Sequence, residues 1–381
     1  MRIAHLCLSC FFIDDHSYQE NELVAAHAKA GHDVIVLAST HIHGSDGDVA
    51  FTTPGDYKTK DGVPVIRLPY ALMMPNKLGI RLRMHRHVKR YLEEFEPDVI
   101  LFHGISGWEL LTVARYCKNN PHVKFYADNH ADHLTAGRNF FTKWILHYLY
   151  YRTVARLALP YIKKILCISP MTLEYASDFF GISRQKLEFY PLGGRPLKHD
   201  EYEKRRLESR KALGISNKEV LFIQSGKQYA RKYLPQALSE FSKVNDSRFR
   251  FLIVGLLMND IKDEVLTLIS KDERVDYVGW KDSDSLRDLL CAADVYLQPG
   301  RQSSTMQESL CCGCAVVLEN LSSNIPYVNK NGWAINKPEE LEDIFQKISF
   351  GDVNITKMGH NSLDYAIENL DYKVLADRIL K

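Results

Sequence analysis

The sequence predicts an α/β protein of two doubly wound domains, each a parallel sheet wrapped by crossover helices. Three observations carry that expectation. Short apolar runs alternate with helix-period segments through the first half of the chain, and the alternation restarts beyond residue 207. Glycines, prolines and charges crowd residues 191–206 between the halves. A chain of 381 residues that is 45% hydrophobic can bury two cores. The reading divides it into a domain over 1–192, a second over 207–364 and a C-terminal helix over 365–381.

In the first half, residues 3–8 read as a buried strand. Residues 18–30 read as a helix with Leu23, Ala26 and Ala30 on one face and Gly31 as its stop. The opening M-R-I-A-H-L-C-L-S-C-F-F resembles a weak signal peptide, but His5 interrupts it and no small-residue cleavage site follows. Further strands are expected at 34–37, 65–68, 99–102, 123–126 and 165–168. Ligands of doubly wound sheets lie outside the carboxyl ends of the strands, which singles out the loops 9–19 and 128–137. The second, D-N-H-A-D-H-L-T-A-G, is dense in polar groups. His130 can donate to a ligand hydroxyl or move protons, with Asp128 or Asp132 to orient it; a capped loop at a strand end is the alternative. Two stretches, 77–91 and 143–164, set Lys and Arg beside apolar and aromatic residues. Each is either a basic amphipathic helix for an anionic membrane surface or an ordinary helix with a solvated face.

In the second half, strands are expected at 220–224, 251–254, 275–278, 295–297 and 315–318, with helices at 233–244, 261–269, 285–292 and 306–312. The first of these strands runs into S-G-K-Q-Y-A-R-K-Y. Gly226 permits close backbone approach there, and Lys227, Arg231 and Lys232 gather cations at a carboxyl strand end, a set suited to a diphosphate. Strand 295–297 leads through a polar loop to Ser303, Ser304 and Thr305, all good helix N-cap types. Free N–H groups would face an anion there, with Glu308 one turn inside the helix.

Several classes drop out. A formal charge of +2 gives no general argument for a nucleic-acid partner. The eight cysteines, C-C-G-C at 311–314 included, lack zinc-site spacing and read as buried thiols of a reduced, cytoplasmic protein. No apolar run reaches membrane-span length. Neither G-x-G-x-x-G after the first strand nor G-x-x-x-x-G-K-[ST] is present. The D-x-D pairs at 46–48 and 282–284 read as loop and helix cap rather than metal ligands.

A-G-H-D-V-I-V-L at 30–37, C-I-S-P at 167–170, S-G-K-Q-Y-A-R-K at 225–232 and A-A-D-V-Y-L-Q-P at 292–299 occur in a telling order. With Q-E-S-L-C-C-G-C-A-V-V at 307–317 and Y-A-I-E-N-L-D-Y-K-V-L-A at 365–376, the chain resembles the family-4 retaining glycosyltransferases along nearly its whole length. The resemblance implies the GT-B fold, two Rossmann-like domains facing across a cleft, with the C-terminal helix crossing back onto the first. It implies transfer of a sugar from a nucleotide diphosphate sugar to an acceptor hydroxyl with retention. No cofactor or metal is expected. The acceptor would be a glycan or lipid-linked glycan at the inner face of a bacterial membrane, in surface-polysaccharide assembly.

Carried over, Lys227 and Lys232 match the cations that hold the donor diphosphate, with Arg231 beside them. Glu308 matches the acid that receives the ribose hydroxyls, and Ser303, Ser304 and Thr305 lie at the helix start that meets the phosphates. Val278 to Trp280 correspond to the segment flanking the base, and His130 to the histidine that touches the donor sugar. There are two departures. Gly300 stands where the first acid of the family's Glu-x7-Glu motif belongs, with Gln302 or Arg301 as substitutes. The usual Gly-Gly after the first strand is missing, which leaves Tyr18, Gln19 and Glu20, with Asp128, as candidates on the acceptor side. A catalytically silent GT-B subunit and a GT-B UDP-sugar epimerase are the alternative readings.

Overall fold

The computed structural model describes the chain apart from Asp15, Gln302, Ser304 and residues 44–48, 72–75 and 134–141. The chain divides into two compact units, Met1–Leu192 with Tyr372–Lys381, and Gly193–Asp371.

The first unit carries β1 (Arg2–Cys7), β2 (Asp33–Ser39), the short pair β3 (His41–His43) and β4 (Val49–Phe51), β5 (Gly55–Lys58) and β6 (Pro64–Leu68). After them come β7 (Val99–Phe102), β8 (Lys124–Asn129), β9 (Lys164–Cys167) and β10 (Leu187–Phe189). Eight of these form one sheet in the order β10-β9-β8-β7-β1-β2-β6-β5, with only β5 antiparallel to its neighbour. The central strands are buried on both faces, which is why V-I-L-F at β7 is an unbroken apolar run.

Its helices are α1 (Gln19–Lys29), α2 (Asn76–Leu82), α3 (Val88–Phe95), α4 (Glu109–Asn119), α5 (Arg152–Ala158) and α6 (Pro170–Asp178). Side chains alternate across a strand. Ala4 and Leu6 therefore join the core made with α3 to α6, while Ile3 and Cys7 join the core made with α1. The pattern over 77–91 suggests one basic helix, but the chain breaks between α2 and α3, where Arg83 and His87 take positive φ of 52° and 68°. Residues 143–164 are not one helix either. Thr142–Tyr151 winds as a π-helix, α5 follows, and Lys164 already belongs to β9. Trp144, Ile145, Tyr148, Leu149 and Leu157 stay exposed along this stretch.

The second unit carries β11 (Val220–Ser225), β12 (Phe249–Val254), β13 (Val275–Tyr277), β14 (Val295–Gln298), β15 (Ala315–Glu319) and β16 (Gly332–Ile335). They form a wholly parallel sheet in the order β13-β12-β11-β14-β15-β16. Its helices are α7 (His199–Ala212), α8 (Leu234–Ser242), α9 (Lys262–Ile269), α10 (Ser283–Ala292), α11 (Thr305–Cys311), α12 (Glu340–Phe350) and α13 (Ile355–Asn369). α8, α9 and α12 close the core around Phe222, Phe251, Val295 and Val317, while α7 packs on α10 and α13 on α11. Asp282 caps α10 through the Ser285 N–H at 2.9 Å, as its position before the helix suggests. Asp46-Gly47-Asp48 lies outside the described residues.

Two expected boundaries move. α7 begins at His199, so the irregular connection is shorter than 191–206 and this helix belongs to the second unit. α13 also stays in the second unit, and the returning segment starts at 372 rather than 365. That segment is α14 (Tyr372–Leu380), which sets Leu375, Ala376 and Ile379 into the core beside α1.

Candidate functional site

In the second unit β11 and β14 are parallel neighbours, with Phe222 opposite Val295 and Ile223 opposite Tyr296. Their carboxyl ends therefore emerge side by side, and the loops that follow are knitted together. The Ser225 hydroxyl donates to Thr305 Oγ1 at 2.9 Å; the Tyr296 hydroxyl is 2.9 Å and the Ser303 hydroxyl 3.1 Å from the same atom. Gly226 turns the chain at φ 107°, and a Cβ there would stand 2.7 Å from Ser303 Oγ. The Ser303 N–H donates to Gln298 Oε1 at 2.9 Å, and the Arg301 N–H to the Arg231 carbonyl at 2.9 Å. These two amides are already committed, so the loop offers fewer open N–H groups than a bare strand–loop–helix unit implies.

Lys232 sits in this weave with only 5% of its surface exposed. Its ammonium donates to the Arg301 carbonyl, and its own carbonyl accepts from Gln224 Nε2 at 3.1 Å. Burial, helped by nearby Arg301, pushes the ammonium down to about 8. Lys227 and Arg231 lie exposed on the same loop. Gly226, Lys232, Ser303 and Thr305 thus meet at one strand end, while Gln302 and Ser304 lie outside the described residues. The absent acid at position 300 has a steric reason: a Cβ on Gly300 would stand 2.2 Å from the Arg231 carbonyl oxygen.

Glu308 is ion-paired with Arg287 of α10, whose other amino group donates to the Arg195 carbonyl at 2.8 Å. Arg287 is buried and was not legible from motif spacing. Beyond β13, the Val278 N–H donates to the Ile253 carbonyl at 3.1 Å, and Trp280 is 67% exposed.

In the first unit the parallel register sets Phe102 opposite Ala127, so the next pair is His103 and Asp128. Asp128 lies inside β8, and the polar loop starts after Asn129 rather than at 128. His103 Nδ1 is 2.6 Å from Asp128 Oδ2, the Gly104 N–H donates to Oδ1 at 2.7 Å, and His130 Nε2 is 3.5 Å from Oδ2. Burial opposes ionisation of Asp128, but His103 and His130 outweigh it and hold the carboxyl below its usual range. Burial likewise opposes charge on His130, and Asp128 outweighs it, moving His130 up. His133 instead sets its ring edge-on to Tyr175, 4.9 Å away.

Tyr18 occupies the N-cap position of α1 and is exposed. Gln19 is 4% exposed, and neither of its amide atoms has a partner among the described residues. Such an orphan marks a place where a ligand or solvent group completes the set. Glu20 is buried and acts electrostatically on His103 and His130. Among the described residues no three His, Cys, Asp or Glu side chains are placed to hold a metal ion. No helix among them is long and apolar enough to cross a membrane.

Two Rossmann-like units, each with a polar cluster at its strand ends, define the GT-B class. Solved structures share the fold. Sucrose-phosphate synthase from Thermosynechococcus elongatus is 14% identical with a TM-score of 0.63, over 100% of this chain and 97% of that one. Alr3699/HepE of Anabaena, in complex with UDP, is 13% identical with a TM-score of 0.66, over 100% of this chain and 98% of that one. WaaG, a glycosyltransferase involved in lipopolysaccharide biosynthesis, is 15% identical with a TM-score of 0.61, over 99% of this chain and 98% of that one. No curated protein matches in sequence. The family model for Glycosyltransferase Family 4 matches residues 21–193, and that for Glycosyl transferases group 1 matches residues 217–349. The chain belongs to these GT-B glycosyltransferases.

Proposed function

We propose that this chain moves a sugar from a nucleotide diphosphate sugar to an acceptor hydroxyl with retention of anomeric configuration. The observation that carries the reading is the desolvated ammonium of Lys232, held where the loops after β11 and β14 meet. The bond from the sugar's anomeric carbon to the diphosphate breaks, and negative charge builds on the leaving group. Lys232, Lys227 and Arg231, with the Ser303 and Thr305 hydroxyls, are preorganised to meet that charge, so a divalent metal is not required of the reaction. Glu308, held by Arg287, receives the ribose hydroxyls. HepE is described in complex with UDP-glucose, which supports a nucleotide-sugar donor and makes uridine the first base to test.

His130 bonds the donor sugar, and Tyr18, Gln19 and Asp128 serve the acceptor side. A leaving phosphate oxygen can take the acceptor's proton, so a glycosidase-like carboxylate pair is not needed. Exposed Trp144, Tyr148 and Leu149 beside Lys143 and Arg152 support docking on an anionic leaflet and a lipid-linked glycan acceptor reached from the cytoplasmic face, in polysaccharide or glycolipid synthesis. Thermal-shift and donor-hydrolysis screens with UDP-, GDP- and ADP-sugars test this. Stabilisation by one nucleotide and cleavage of one donor are expected. A chain that cleaves no donor with any acceptor is instead the silent GT-B subunit.

A further inference from the structure

On the sheet face covered by α1 and α14, side chains from four elements form a continuous line. His27 Nε2 is 3.2 Å from the Ala376 carbonyl oxygen, and His27 Nδ1 is 3.0 Å from His5 Nε2. His5 Nδ1 is 3.1 Å from His103 Nε2, and His103 Nδ1 is 2.6 Å from Asp128 Oδ2. All four side chains are buried. The register explains the line: Ile3, His5 and Cys7 of β1 and Val99 and Leu101 of β7, with His103 just past its end, point to the same face.

The ends of the line fix its direction. A backbone carbonyl and a carboxylate can only accept, so each of the four links needs one N–H. Three neutral imidazoles supply three. A missing proton would leave two lone pairs facing each other in a dry interior, at the cost of an unsatisfied buried group. One ring is therefore doubly protonated, and the ring beside the carboxylate gains most from its charge. Putting the proton on Asp128 Oδ2 instead would turn an O–H toward a position that also faces His130 Nε2 at 3.5 Å.

We infer that His103 is a resident imidazolium, kept so by a directed chain through His5 and His27, and that it is the positioning residue that sets the charge and tautomer of His130 across Asp128. The groups facing His103 are His5 and Cys7 from β1, Asp128 from β8, His130 after it, and Glu20 from α1. Burial is opposed by Cys7 and Asp128, which lift His103 up to about 10, while burial takes His27 down to about 4 and His5 down as well. Because His103 partly compensates Asp128, His130 is lifted less than a bare carboxylate would lift it. In its neutral form it keeps Nε2–H toward Asp128 and leaves Nδ1 as an acceptor. On the reading proposed above, the lower His103 holds the His130 titration, the less that ring repels the positive charge that builds on the donor sugar.

Imidazole ¹⁵N spectra of the full chain without ligand, over pH 6–9, test this. Both ring nitrogens of His103 should stay protonated throughout, with His5 and His27 each carrying one proton on Nε2. In His103→Gln the His130 titration should move to higher pH. The acid limb of kcat/KM should move with it, while His27→Gln, which keeps one donor and one acceptor in the line, leaves both in place. A bare nitrogen on His103 at pH 7 overturns the inference, as does an unmoved His130 titration. If His103→Gln does not fold, the wild-type spectrum decides alone. The spectrum is read without substrate. A charged His103 in a chain that cleaves no nucleotide sugar sinks the proposed function and not this inference.

Discussion

Replacing Lys232 by Met separates function from folding. The residue is 5% exposed, and its ammonium sits at about 8 against 10.5 for a free lysine. At neutral pH that displacement corresponds to about 3 kcal/mol of penalty for keeping the charge buried. Methionine has a similar length, no charge and flexible packing, and the Arg301 carbonyl it abandons belongs to an exposed residue that water can reach. Folding stability should therefore hold or rise. Donor turnover should fall about 10²- to 10³-fold, or about 3–4 kcal/mol, the cost of removing one preorganised donor from a developing oxyanion. The sign with pH follows from the same displacement. Between about 8 and 10.5 the unfolded chain binds more protons at this residue than the folded one, so wild-type stability gains with pH in that window and Lys232→Met does not. Wild-type kcat/KM should decline above about pH 8 as the free enzyme loses the ammonium. Differential scanning calorimetry and initial rates of nucleotide release read the two quantities. Turnover within threefold of wild type, or a melting temperature that falls in step with activity, refutes the reasoning.

Glu308→Ala should lose nucleotide affinity and about 3 kcal/mol of stability, because it strands the buried Arg287 without its partner. Glu308→Ala with Arg287→Met should regain stability in a denaturant titration but not nucleotide binding by calorimetry. Gly226→Ala should cost about 1–3 kcal/mol, since φ 107° is strained for alanine and the new methyl presses on Ser303, and donor KM should rise. On the proposed reading, adding EDTA should leave initial rates unchanged, because Lys232 and its neighbours would meet the leaving-group charge. Trp144→Ser with Leu149→Ser should weaken sedimentation with phosphatidylglycerol vesicles and spare turnover on a soluble acceptor.

The alternation of apolar runs was enough to foresee two parallel sheets, because buried parallel strands leave that trace whatever their partners are. The cation-rich exit at 225–233 was legible for a similar reason: a strand end followed by Gly-Lys and Arg-Lys is a local pattern. What escaped notice depends on partners far apart in sequence. Arg287 meets Glu308 from a different helix, and no spacing announces the pair. The reason Gly300 replaces an acid, that any side chain there would run into the Arg231 carbonyl, is not visible in spacing. His5 registered only as an interruption of an apolar run. Histidine recurring on the same face of buried strands, at His5 and again at His103, was the available signal, but joining them required knowing that β1 and β7 are neighbours. The helix breaks at Arg83 and His87 are non-glycine residues with positive φ, which composition does not reveal.

The two polar clusters handle buried charge in opposite ways, and this bears on how a ligand would be felt. Around Lys232 the loop supplies the Arg301 carbonyl and a neighbouring arginine, and among the described residues no carboxylate pairs with the ammonium. Its desolvation is only partly offset until an anion arrives, so donor binding should take up a proton at alkaline pH and weaken with salt. Around Asp128 the charges are closed on themselves: the carboxylate is matched by His103, and the chain behind it ends on a carbonyl. A ligand at His130 would therefore find hydrogen-bond directions fixed by the matched pair behind it. Proton uptake measured by calorimetry in buffers of different ionisation enthalpy separates the two. Nucleotide diphosphate binding should take up a proton near pH 9 in the wild type and none in Lys232→Met, whereas His103→Gln should leave that uptake unchanged.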